Sequence, residues 1–538
     1  MNLKSLKIKP LILSLILFHA AIALASWFVF YLSAKNPELI YHSLKSYFIP
    51  VDISSKLAKA NWAELLDNPY WHISFKQLKI NKFLKVFQEL AHWFIILVDI
   101  TFLYLIFNPK RSQDNSISSL RFKEIFIYAT VFSLIGVFSI PNDSSDIYGY
   151  IARGAQQVFY GENPYQSVAA DINDWQNDSF LGNMLWEKNP APYGPLFIFI
   201  CKLIVSLSFN NFWLAIFLFK LISSGCFLGT VFFIKKIFKL ENLHDRPKLF
   251  NTFEPSLVIS FIALNPFLFY HSSWNGHNDI VMVFLFIASI YSLFKKRFNL
   301  ALLLISASIF IKYIAIVLLP LIIIYIWKDY YFIDKTLKTP LSFRNLLKYL
   351  VPLGSLVSLI FAFLLFNYYD FFSSNFSAIN QNVTLSHKSL FNTLETIYKA
   401  ITSNELAQII KYLFLSTFAA FASFIYIKFW TKNYSKDLEI SMEYYDDRNR
   451  RLNYAFLESS TFILAALVLV ASPKFHSWYL VIVLALGFLS FPELAVIFSI
   501  SHLLSFTFID QANILNYILM TVLPSFFYFL KSLQNTKV

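Results

Sequence analysis

Glycine is scarce in this chain, with 11 residues among 538. That scarcity argues against helix crossings built on stripes of small residues. No Gly-rich phosphate loop occurs, and no stretch reads as a soluble α/β domain, so a nucleotide-binding fold is excluded. Charge is thin as well. Asp, Glu, Lys and Arg make up 14% of the chain, against about 25% in an ordinary soluble domain. The two cysteines, Cys201 and Cys226, both fall inside apolar runs, where each reads as a small buried hydrophobe rather than half of a disulfide. No His/Cys cluster at zinc spacing appears. Internal repeats and low-complexity linkers are absent too.

What the chain does have is apolar bulk. It is 57% hydrophobic and 19% aromatic, with 61 Phe, 30 Tyr and a mean hydropathy of +0.55. Such a composition specifies a polytopic membrane protein. The net charge of +13 does not call for nucleic acid, because the basic residues sit in short loops between apolar runs, as positive-inside topology requires. Runs of near-spanning length cover 10–33, 86–107, 123–140, 193–235, 255–270, 279–294, 299–327, 349–367, 406–429, 456–471, 476–490, 492–507 and 512–530. The expected fold is therefore all-α and polytopic, with roughly 12–14 transmembrane helices. The first run is too long for a signal peptide and reads as a retained anchor. The run 193–235 is long and expected to be broken, and 299–327 reads as two short helices.

Five basic loops, around Lys110–Lys123, Lys235–Lys248, Lys295–Arg297, Lys328–Lys348 and Lys432–Arg451, are placed in the cytoplasm. The polar, aromatic loops then gather on the opposite, outer side: 141–192, 271–279, the tip near Lys312, 368–405 and 472–477. Residues 34–87 read as an interface-lying segment. The whole of 1–538 is taken as one membrane domain. Within it, 141–192 is the outer catalytic loop, and 368–405 is an outer loop without a motif.

Chemistry concentrates at Ser144–Gly154, SSDIYGYIARG. Ser and Asp before a periodic run mark a helix start. A short amphipathic helix there sets Asp146, Tyr150 and Arg153 on one face at i, i+4 and i+7. The positive end of the helix dipole favours an anion at its first turn. Lys312 lies between two apolar runs too short for one helix. A lysine there either meets an anion or snorkels to the interface. Lys474 and His476 precede Trp478 and Tyr479, which serve equally as interfacial aromatics. Trp274, His277, Asn278 and Asp279 offer ring stacking and hydrogen bonds suited to a sugar. Asn177, Asn375 and Asn382 open glycosylation sequons, uninformative without a known source.

Ser144–Gly154, Gly161-Glu162-Asn163-Pro164-Tyr165 and Ala191-Pro192-Tyr193-Gly194-Pro195 resemble the first outer loop of polyprenol-phosphate-mannose-dependent α-(1→6)-mannopyranosyltransferases. Trp274–Asp279 and Ser472–Tyr479 resemble later motifs of the same family, in the same order. These are GT-C-type membrane glycosyltransferases of mycobacterial and corynebacterial lipoglycan assembly. Their Ala- and Gly-rich sequences differ from this Phe-, Lys-, Ile- and Asn-rich chain, so a different acceptor is expected.

The resemblance implies that Asp146 is the general base of an inverting mannose (or other hexose) transfer. The donor is a polyprenyl-phosphate sugar in the outer leaflet, and the acceptor an envelope glycolipid or glycan. The leaving phosphate needs positive charge where its negative charge develops, for which Arg153, Lys312, Lys474 and His476 are the candidates. Tyr150, Tyr193, Trp274, His277, Asn278 and Asp279 are the candidate substrate contacts. No cofactor is expected; a divalent cation bridging Asp146, Asp279 and the phosphate is the less favoured option. The expected location is the plasma (inner) membrane, with the site on its outer face. The competing reading is a secondary transporter or flippase of lipid-linked saccharides, which calls for polar, broken helices at the midplane and repeated halves.

Overall fold

The structure is a computed structural model that describes residues 12–24, 122–141, 146–184, 186–241, 255–337, 354, 406–431, 442–472, 476–492, 494–495 and 498–499. The expected runs 86–107, 349–367 and 512–530, the segment 34–87, the loop 368–405 and Lys474 lie outside these residues. Among the described residues every regular element is helical and no strand occurs. Three helices there are long and apolar enough to cross a membrane, Phe212–Leu240, Leu413–Thr431 and Arg448–Ala471, and shorter apolar helices accompany them. The protein is an all-α polytopic membrane protein.

The described residues divide into two compact units. The first is drawn from Met1–Ala191, Ile198–Gly225 and Pro266–His277, the second from Pro192–Phe197, Cys226–Asn265 and Asn278–Val538. In chain order the helices are α1 (Ile12–Leu24), α2 (Phe122–Phe138), α3 (Asp146–Phe159), α4 (Pro195–Leu207), α5 (Phe212–Glu241) and α6 (Pro255–Ala263). They continue with α7 (Pro266–Phe269), α8 (Asp279–Phe294), α9 (Phe298–Ile311), α10 (Leu319–Leu337), α11 (Leu406–Thr431), α12 (Met442–Ala466) and α13 (Leu480–Ser490). A π-helical turn, Tyr270–Trp274, extends α7, and another, Leu467–Ala471, extends α12.

Local chemistry explains many of these boundaries. Pro195, Pro255 and Pro266 open α4, α6 and α7, where the missing N–H costs nothing and the fixed φ already suits a helix. The residue before Pro266, Asn265, cannot easily be helical, so α6 stops at Ala263. The run 193–235 is broken between α4 and α5: Phe209 and Asn210 turn through positive φ, and Asn211 Oδ1 accepts the Leu214 N–H at 2.9 Å to cap α5.

In the first unit, aromatic rings join α1, α2 and α7. Phe132 stacks on Phe269 at 3.7 Å, and His19 meets Phe132 edge-on at 4.6 Å. Helix α3 is buried on nearly every side from Ile147 to Gln156, more deeply than an interface-lying helix. It touches the backbone of α4 so closely that a Cβ on Gly154 would lie 2.4 Å from the Cys201 carbonyl oxygen. Thus glycine, though rare, occupies a point where two backbones meet. Both cysteines are free thiols.

In the second unit, α8 and α9 form an antiparallel pair laced by hydroxyls. Ser308 donates to the Met282 carbonyl at 2.9 Å and Ser289 to the Ala301 carbonyl at 2.6 Å. Away from these, Lys296 bonds Asp329, Tyr325 and Asn449, joining the turn after α8 to α10 and α12. A buried carboxylate in an apolar bundle needs such a partner.

Candidate functional site

In the first unit the site is built from the end of α2, the start of α3 and the π turn. Asp146 is the first residue of α3, and its side chain keeps 18% of its surface exposed. His277, buried, brings Nδ1 to 3.6 Å from Asp146 Oδ2. That separation is an electrostatic approach rather than a direct hydrogen bond. The π turn delivers His277 there. Asn275 N–H bonds the Tyr270 carbonyl, His277 N–H bonds the His271 carbonyl at 3.1 Å, and Gly276 takes a φ of +69°. A side chain at position 276 would be strained by that φ and crowded by Ile147 Cδ1 at 3.0 Å from the added Cβ. The ring of His271 lies 5.5 Å from that of His277, centroid to centroid.

The other residues of the expected α3 face are turned inward. Tyr150 is fully buried beside Phe219. Arg153, also buried, donates to Gln156 Oε1 at 2.8 Å, to the Trp186 carbonyl at 3.5 Å and to the Asn189 carbonyl. It thus ties the loop 160–191 to α3. Gln156 adds a second tie by donating to the Ser167 carbonyl, Gln157 joins α3 to α4 through the Ile198 carbonyl, and Ala191 N–H closes the loop on itself at the Pro164 carbonyl. Phe180 wedges between Phe159 and Phe212. Tyr160 donates to Asp178 Oδ2. Partial burial, then the hydrogen bond and charge of Asp178, push the Tyr160 phenol upward, so it stays a donor. Trp274 is buried, and its indole N–H goes to the Ile140 carbonyl at 3.1 Å. In this arrangement its ring packs inside and offers no open stacking face.

In the second unit a different cluster forms around Lys312. Helix α9 ends at Ile311, Lys312 is extended (φ −151°, ψ 124°), and a 3₁₀ turn Tyr313–Leu318 leads into α10. The break expected at Lys312 is there. Its ammonium meets Asp279 Oδ1 at 2.7 Å and lies 4.2 Å over the Tyr479 ring. Asp279, the first residue of α8, has a side chain only 2% exposed, and Asn278 beside it is buried. Tyr193 is half-buried; its ring meets Phe197 edge-on, and its carbonyl accepts the Tyr313 hydroxyl at 3.2 Å. Burial raises the Tyr313 phenol, which keeps it a donor. His476 stacks on Trp478 at 4.4 Å.

Two residues escaped the sequence reading. Lys220, fully buried in α5, donates to the Ser139 carbonyl. Its signal was a lone lysine inside an apolar run. His271 had none, since its neighbours in space come from the π turn. Among the described residues no group of three or more His, Cys, Asp or Glu is placed to hold a metal ion.

Residues 71–328 match the family described as alpha-(1->6)-mannopyranosyltransferase, N-terminal domain. This is the family that the motifs from Ser144 onward resemble. One relative, alpha-(1->6)-mannopyranosyltransferase A of Corynebacterium glutamicum, is 28% identical over 203 residues, which is 37% of this chain and 37% of the relative. The protein of the same name from Mycobacterium tuberculosis is 26% identical over 192 residues, 36% of this chain and 34% of the relative. The chain therefore spans about a third of the length of the curated relatives it matches.

Proposed function

Residues 71–328 belong to the α-(1→6)-mannopyranosyltransferase family, and from that premise we propose that this protein transfers mannose from a polyprenyl-phosphate donor to a glycan acceptor on the outer face of the membrane. Asp146 acts as general base. The acceptor oxygen bonds to the anomeric carbon of the sugar, its proton passes to Asp146, and the bond from that carbon to the phosphate oxygen breaks. The configuration inverts, and the polyprenyl phosphate leaves with the bonding electrons. A phosphate leaving group needs no general acid, so one carboxylate suffices for the proton.

The observation that carries this reading is the setting of Asp146. It stands on the first turn of α3 with surface still open and the buried imidazole of His277 3.6 Å away. An accessible carboxylate can meet an incoming hydroxyl. Asp279, almost wholly buried against Lys312, is less suited to do so. Arg153 enters as the residue that holds the loop 160–191 to α3, because its guanidinium is occupied by backbone carbonyls. Lys312 and His476 remain the cationic candidates for the donor phosphate among the described residues.

The test uses purified full-length protein with labelled mannosyl-phosphoryl-polyprenol, GDP-mannose as the rival donor, and octyl α-mannopyranoside as acceptor. Label is expected to move from the lipid donor only, and Asp146→Asn to cut that transfer by about 100-fold or more. Transfer from GDP-mannose would falsify the donor assignment, and undiminished transfer by the Asn variant would remove the base.

A further inference from the structure

Helix α2 ends at Phe138, and the next three carbonyls each receive a side chain from a different element of the first unit. Lys220 of α5 donates to the Ser139 carbonyl, Trp274 Nε1 to the Ile140 carbonyl at 3.1 Å, and the Tyr148 hydroxyl reaches the Pro141 carbonyl at 3.5 Å. Carbonyls past a helix end need such donors when buried. Lysine is the costly choice among the three, since an amine inside an apolar helix has no water to solvate it. Among the described residues no carboxylate pairs with Lys220.

Its stem has a second neighbour. A Cβ added to Gly276 would lie 3.2 Å from Lys220 Cγ and 3.0 Å from Ile147 Cδ1. Lys220 therefore lies next to both arms of the Asp146–His277 contact. Its amine grips the segment that leads into Asp146, and its Cγ lies beside the space where a side chain at position 276, the residue before His277, would stand. Met could fill the same space but could not donate to Ser139.

We propose that Lys220 is a positioning residue that sets the approach of His277 to Asp146. The inference rests on the reading of Asp146 as the base. Without the grip on Ser139, the 139–141 segment shifts, and the carboxylate moves relative to the imidazole.

Lys220→Met, measured with mannosyl-phosphoryl-polyprenol and octyl α-mannopyranoside, is expected to lower kcat by about 10- to 100-fold while the donor KM stays within about twofold. The pH–rate profile is expected to shift as well, because the surroundings of the base change. Lys220→Arg, which restores a donor, recovers part of the rate. Gly276→Ala, which strains the turn and crowds Ile147 as well as the Lys220 stem while leaving the amine intact, also lowers kcat. The double variant loses less than the product of the two single losses. If Lys220→Met does not yield folded protein by thermal melting, Lys220→Arg and Gly276→Ala carry the test. Wild-type kcat and pH profile in Gly276→Ala together with either Lys220 variant overturn the proposal, as does a loss borne by KM. Undiminished transfer in Asp146→Asn overturns the base and this inference together. Loss in Asp146→Asn with a normal Lys220→Met overturns this inference alone.

Discussion

The two aspartates of the matched motifs are held differently. Asp146 approaches His277 at 3.6 Å and keeps 18% of its side chain exposed, whereas Asp279 grips Lys312 at 2.7 Å with 2% exposed. A short ion pair on a buried carboxylate is a commitment: Asp279 has left water and would be strongly unfavourable without Lys312, whose side chain stays 20% exposed. A longer approach to an imidazole, open on one side, leaves room for a third group. Two carboxylates from matched motifs thus differ in what they can still meet: one keeps open surface, and the other is taken up by an ion pair.

That contrast can be broken most sharply at Asp146. Asp146→Asn is expected to cut transfer by about 10²–10⁴-fold, the usual worth of a general base, with the melting temperature unchanged. Asp279→Asn should do the reverse. It leaves Lys312 facing a neutral amide and costs about 3 kcal/mol of stability, read as a lower melting temperature. The pair Asp279→Leu with Lys312→Met should regain most of that loss. If the double variant melts normally yet transfers no mannose, Lys312 serves the donor phosphate as well as Asp279.

The contrast sharpens further at His277. His277→Gln is expected to lower kcat about tenfold, near 1.4 kcal/mol in the barrier, with little change in donor KM. A raised donor KM with kcat unchanged would assign His277 to substrate binding. The smallest effect is expected at Tyr479, whose ring lies 4.2 Å under the Lys312 ammonium. Tyr479→Leu removes a cation–π contact worth about 0.5–1 kcal/mol, so stability should drop slightly and kcat hold. A large loss of transfer there would tie the ring to the substrate.

Much of the fold was legible from local signals. The helix start at Asp146 follows from the Ser-Ser-Asp stretch, the break at Lys312 from flanking runs too short to be one helix, and the starts of α4, α6 and α7 from proline. The site was legible only in part. Arg153 was expected at the phosphate, yet its carbonyl partners stand 33 and 36 residues away along the chain, and no short-range pattern points to them. Trp274 was expected to stack on sugar, but its N–H serves Ile140, 134 residues distant. Lys220 has its partner, Ser139, 81 residues off, beyond any local pattern.

Membrane character, helical class and many helix ends were properties of the sequence by itself, because hydropathy and capping act over a few neighbouring residues and add up along the chain. Which polar groups satisfy one another was decided only by the tertiary structure. A buried donor takes whichever acceptor folding brings within 3 Å or so, and distance along the chain does not constrain that choice. Two aspartates alike in sequence thus end in unlike surroundings.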